Sequence, residues 1–229
     1  MGVYLNPGKQ CFETVANSEI FVDKTEMIMH LNSLVNTLQR YVCVTRPRGF
    51  GKTMAADMIC AYYDREAASR ELFKKLKLAG CAPLKNRTEE LSWDVYFGRF
   101  DVIHMVMTEF FQENKTVTEA IDNMQQLVIR DIKKAYPDKD YVNDKDLIQT
   151  IEDIYSEGDK QVVIVIDEWD AVFRRRSNDK DGQTEYLDFL RDLMKDEPYV
   201  ALAYMTGILP IRKSGGQSRR RLGRLNSAE

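Results

Sequence analysis

Arg46-Pro47-Arg48-Gly49-Phe50-Gly51-Lys52-Thr53 is the stretch that decides the fold. An apolar run, Tyr41 to Val44, leads into it, and a helix-like run, Met54 to Tyr63, leads out. Strand, tight glycine turn, Gly-Lys-Thr and helix is the layout of a phosphate-binding loop, G-x-x-x-x-G-K-[ST]. The last three positions fit, and Arg46 stands where the first glycine belongs. Pro47 has no N–H for a central ladder, so the strand is expected to end near Thr45.

In such a loop, successive backbone N–H groups turn inward onto phosphate oxygens, and the following helix adds its positive end. The expected phosphate-binding run is therefore Arg48, Gly49, Phe50, Gly51, Lys52, Thr53 and Met54. Lys52 would reach the outer phosphates and the Thr53 hydroxyl would ligate Mg²⁺. Arg46 and Arg48 either add charge for the phosphates or pair with a local carboxylate.

A second element is needed, an acid at the end of a buried strand beside the loop strand. Gln161 to Ile166, QVVIVI, is the most strand-like run in the chain and ends in Asp167-Glu168. Unbroken Val and Ile without alternation indicate a strand covered on both faces, as in a parallel sheet. Asp167 would hold Mg²⁺, and Glu168 would orient or deprotonate the attacking water; the alternative for Glu168 is a cap or a salt bridge. Asp170 reads equally as a cap or a catalytic acid. Tyr199 to Met205, YVALAYM, ends at Thr206-Gly207, where Thr206 either senses the terminal phosphate or caps a turn. Lys52, Glu168 and Thr206 are thus the expected catalytic set, and Thr53 and Asp167 the expected metal ligands.

Around these blocks, apolar strands alternate with helices, which implies an α/β domain of three layers about a mostly parallel sheet. Residues 1 to 20 read as an irregular lead-in. Asp23 and Glu26 resemble a capping box for a helix from Lys24 to Leu38. Glu71 to Leu78 is amphipathic, and Trp93, Tyr96 and Phe97 read as packing anchors. Phe100 to Met107 is a further strand, with His104 inside it read as structural. Val117 to Ala135 and Leu147 to Tyr155 read as helices, Arg174 to Asp181 as a charged loop, and Glu185 to Met194 as a helix. Arg174-Arg175-Arg176 is either a solvated run or the source of an arginine finger acting on a neighbouring subunit.

Of 229 residues, 44 % are hydrophobic and 30 % charged, ordinary for a globular protein, and the net charge of -3 gives no case for a nucleic-acid coat. Cys11, Cys43, Cys60 and Cys81 show neither C-x-x-C nor zinc spacing, so reduced thiols are expected. No apolar run approaches the ~20 residues of a membrane span, and a cytoplasmic protein without a membrane partner is expected. Residues 214–229 carry four arginines and no periodicity, and read as a disordered basic tail beyond a domain of residues 1–213.

Four blocks in order, FVDKTEMI, VTRPRGFGKTM, VVIVIDEWD and MTGILPIRK, resemble the predicted AAA-ATPase-like family found widely in bacteria. The likeness covers about residues 10 to 213, and the arginine before the glycines belongs to that family's pattern. It implies a P-loop NTPase fold of the AAA/ASCE type, ATP and Mg²⁺ as ligands, and hydrolysis that drives or switches a protein partner or a homo-oligomer. It also implies the Phe21 to Thr25 element near the adenine. Relatives usually continue into a nuclease-like domain of the PD-(D/E)xK type, so nucleic acid enters only by that association. Because the likeness stops near Lys213, a truncated chain is expected, with nucleotide binding but little hydrolysis as the alternative outcome.

Overall fold

The computed structural model describes residues 2–66, 69–85, 90–111, 116–156, 158 and 160–209. The basic tail from Ser214, with Arg212 and Lys213, lies outside the described residues. In chain order the elements are α1 Gln10–Ala16, α2 Met27–Leu34, β1 Tyr41–Thr45, α3 Lys52–Tyr63, α4 Arg70–Phe73, a 3₁₀ turn Lys77–Gly80, β2 Leu84–Lys85 and β3 Glu90–Leu91. There follow β4 Asp101–Val106, α5 Met107–Phe110, α6 Val117–Ala135, α7 Leu147–Ser156, β5 Val162–Asp167, α8 Ala171–Arg175, α9 Lys180–Met194 and β6 Val200–Gly207.

β1, β6, β5 and β4 form one sheet in that order, every pair parallel. β5 and β6 are buried at every position, as their uninterrupted apolar sequences require. Alternate side chains enter two cores. Ile164, Ile166 and Met205 join one with α5 to α9, while Val163, Val165 and Tyr204 join the other with α1 to α3. Helices therefore cover both faces. Each fully buried Val, Ile or Leu contributes roughly 1.5–3 kcal/mol, so these two strands supply much of the driving force for folding.

α6 shows how a helix is placed. Val117, Ala120, Ile121, Met124, Val128, Ile129 and Ile132 are buried at three- and four-residue spacing. Thr116 and Glu119 form a complete capping box at its start, a feature worth about 1 kcal/mol. Its buried face packs on α7 and α9.

Several expectations are corrected. The acid-bearing strand does not lie beside the loop strand: β6 stands between β1 and β5. Residues 1 to 20 contain α1, and Leu5 bridges antiparallel to Ile103 on the far edge of β4, with Val3 and Tyr4 N–H groups donating to Asp131 Oδ2. The helix expected from Lys24 to Leu38 is only Met27–Leu34, because Asn36 at φ 56° turns the chain away. Its N-terminus has no side-chain cap; Asp23 instead accepts from the N–H groups of Thr25 and Lys77. The charged loop at 174–181 holds the end of α8 and the start of α9, which Asp179 caps through the Gly182 N–H at 2.9 Å. The amphipathic run from Glu71 to Leu78 is split between α4 and the 3₁₀ turn. Trp93 and Phe97 do pack, edge-on to each other, with Phe97 against Tyr62 and Phe73. Cys43 and Cys60 are buried and free, Cys11 is exposed, and Cys81 is half-buried. Among the described residues, no helix is long and apolar enough to cross a membrane.

Candidate active site

The site forms where β1, β5 and β6 end together and α3 begins. Gly49 and Gly51 have φ of 82° and 72°, a region closed to most side chains, and these two positive values bend the chain from β1 into α3. Arg46 N–H donates to the Gly207 carbonyl, tying the loop to the end of β6. Among the described residues, the N–H groups of Gly51, Lys52, Thr53 and Met54 have no backbone acceptor. α3 has no side-chain cap, so a 12-residue helix opens its positive end toward solvent.

Lys52 Nζ rests on the Pro47 carbonyl at 3.1 Å. Lys24 Nζ reaches the same loop from the segment before α2 and donates to the Phe50 carbonyl at 3.0 Å. Phe50 is 58 % exposed at the loop tip. Arg46 and Arg48 form no ion pair among the described residues, so the local-carboxylate alternative finds no partner there.

Asp167, 1 % exposed, is the centre of the polar network. The Thr53 hydroxyl donates to its Oδ2 at 2.6 Å, the Thr206 hydroxyl donates to its Oδ1, and the Glu168 N–H donates to Oδ1 at 2.9 Å. Three elements, α3, β5 and β6, thus meet on one carboxylate. Thr206 is engaged with Asp167 and caps no turn through its side chain, while its carbonyl accepts the Trp169 N–H at 2.9 Å. Gly207 beside it leaves no room for more: a Cβ there would lie 2.5 Å from Trp169 Nε1.

Glu168 turns away from this network. Its φ of 53° is left-handed, a conformation that costs a non-glycine residue of order 1 kcal/mol. Its carboxylate meets the Arg174 guanidinium at 3.0 Å. Arg174 also lies 3.4 Å from Asp170, which is fully buried. Asp170 is neither side-chain cap nor exposed acid; its Oδ2 accepts the N–H groups of Ile208 and Leu209 and fixes the segment after β6. Arg175 donates to the carbonyls of Thr108 and Phe111. Arg174 is therefore half-buried on two carboxylates, and the exposed Arg175 is tied to backbone carbonyls.

Two groups below the network were not singled out as site residues from sequence. His104 sits on β4, its Nε2 buried without a partner among the described residues, and burial lowers its pKa, so it is neutral at neutral pH. Asp57 lies one turn beyond Thr53 on α3. Burial, and then the charge of Asp167, raise its carboxyl from 3.8 to about 6. The only visible signal was an acid within the apolar run MAADMICAYY.

Asp57 gives a signed prediction. Its folded-state pKa lies above the unfolded value, so the charged form opposes folding. That penalty is fully present above about pH 6, shrinks as the pH falls, and is gone below the unfolded pKa near 3.8. Asp57→Asn is expected to raise Tm at about pH 7.5 and to lose the gain by about pH 4. Thermal melts across that range check it; an equal gain at both ends would show that charge burial is not the cause.

Among the described residues no three His, Cys, Asp or Glu gather to hold a metal. The Thr53 hydroxyl and Asp167 carboxylate nevertheless form a pair of hard oxygen donors, the set Mg²⁺ uses when phosphate oxygens and water complete its shell. The residues present fit that ion. A family model described as "Predicted AAA-ATPase" matches residues 7–215. A comparison with curated proteins found no match.

Proposed function

We propose that this chain, which belongs to the predicted AAA-ATPase family, binds ATP with Mg²⁺ on the residue 48–54 loop and hydrolyses it, on a three-layer P-loop fold. The observation that carries the reading is the meeting of Thr53 and Thr206 on Asp167 at the exit of the glycine loop. The exposed N–H groups of that loop would receive phosphate oxygens, with Lys52 leaving the Pro47 carbonyl for the outer phosphates. Thr53 and Asp167 would hold Mg²⁺, which when bound neutralises charge on the outer phosphoryl oxygens. Thr206 keeps Asp167 oriented, so it is a positioning residue. Glu168 is the general base for water, once its carboxylate leaves Arg174.

The Glu168–Arg174 pair also favours a second reading, a nucleotide-dependent interaction module that turns over slowly while the base is held. Phosphate release from ATP by the purified chain separates the two. Steady release that stops on chelation of Mg²⁺ is expected. ATP binding without steady release would support the module, and absence of binding would sink both.

A further inference from the structure

We propose that Lys24 is a phosphate-binding residue that reaches the loop from outside it, a role that rests on the nucleotide reading above. Its ammonium lies 3.0 Å from the Phe50 carbonyl, and a Cβ placed on Gly51 would be 3.5 Å from it. Lys24 is thus against the backbone of the two residues that precede Lys52.

The backbone carrying Lys24 is fastened on both sides. Asp23 Oδ1 accepts from the Thr25 N–H at 2.9 Å and the Thr25 hydroxyl at 2.7 Å. Asp23 Oδ2 accepts the Lys77 N–H at 2.8 Å, and Thr25 Oγ1 accepts the Leu78 N–H at 3.1 Å. Thr25 is fully buried. Asp23 and Thr25 therefore clamp the segment to the 3₁₀ turn, and Lys24 between them is exposed toward the loop. This division of labour accounts for the order Asp-Lys-Thr: two anchors flank one presented cation.

Charge points the same way. Lys24, Arg46, Arg48 and Lys52 gather on or beside one loop, and none forms an ion pair among the described residues. Four cations without an ion pair beside unbonded loop N–H groups favour a polyanion. An ammonium has three donors, and Lys24 gives one to a neutral carbonyl. A phosphate oxygen is a stronger acceptor, by about twofold in hydrogen-bond energy.

A purely structural lysine here would need only a donor for the Phe50 carbonyl. Lys24→Gln keeps a donor and removes the charge, whereas Lys24→Arg keeps both. Calorimetry with Mg-ATP at several salt concentrations is the test, with Tm as the check on folding. Lys24→Gln is expected to bind roughly 10-fold more weakly or worse, and with a shallower salt dependence, because a charge-assisted contact to phosphate is lost. Lys24→Arg is expected to stay within roughly 3-fold of the unmutated chain. Unmutated affinity in Lys24→Gln, or equal weakening in both variants with an unchanged salt dependence, would overturn the proposal while leaving the nucleotide site standing. Failure of the unmutated chain to bind Mg-ATP would instead remove the nucleotide reading and this role with it.

Discussion

Lys52→Ala is expected to abolish measurable ATP binding while leaving the fold intact. Lys52 opens α3, where the loop N–H groups and the helix end already favour an anion. Its ammonium is held by one neutral contact, to the Pro47 carbonyl at 3.1 Å. Alanine removes a charge-assisted bond to phosphate worth ~1.5–3 kcal/mol, and with it part of the charge that offsets the triphosphate. A loss of roughly 10- to 150-fold in affinity follows from the contact alone, and the missing charge adds to it. Alanine is at least as good a helix former as lysine, so Tm should stay within about 2–3 °C. Calorimetry with ATP decides it, and unchanged affinity would remove the loop from the role of phosphate site.

Glu168→Gln is expected to separate binding from turnover. The amide fills nearly the same volume and can still accept from Arg174, but it cannot take a proton from water. General base catalysis is worth ~10²–10⁴-fold, and turnover should fall by that order while ATP affinity is kept. Stability should move little, because the Glu168–Arg174 pair is partly exposed, at 28 % and 21 %. Phosphate release per bound ATP is the measurement, and unchanged turnover would take Glu168 out of the base role.

The strands were plain in the sequence because burial on both faces demands an unbroken apolar run, and VVIVID and YVALAYM supply it. Their lateral order was not, since any of them could neighbour any other by composition. The same limit applies within the site. Lys52, Thr53, Asp167 and Thr206 are marked by strand ends and glycines, which are local signals. The pairing of Arg174 is not, because it meets Glu168 only when Glu168 itself takes a left-handed conformation at the turn into α8. Asp23 departs from its sequence pattern for a related reason. Its spacing to Glu26 suits a helix cap, but its acceptor capacity goes to Thr25 and to Lys77, the latter far along the chain.

The position of β6 also governs how the molecule can be assembled. It is the last of the described strands in sequence and yet lies inside the sheet, flanked by β1 and β5. Tyr41 waits for Ala203 across most of the chain, and closing so long a loop is entropically slow. During synthesis β4 and β5 can pair as soon as both have emerged, but among the described strands β1 has no partner until β6 does. The glycine loop, carried on β1, therefore joins Asp167 only at the final closure. Folding order thus keeps the two halves of the site apart until the sheet is complete.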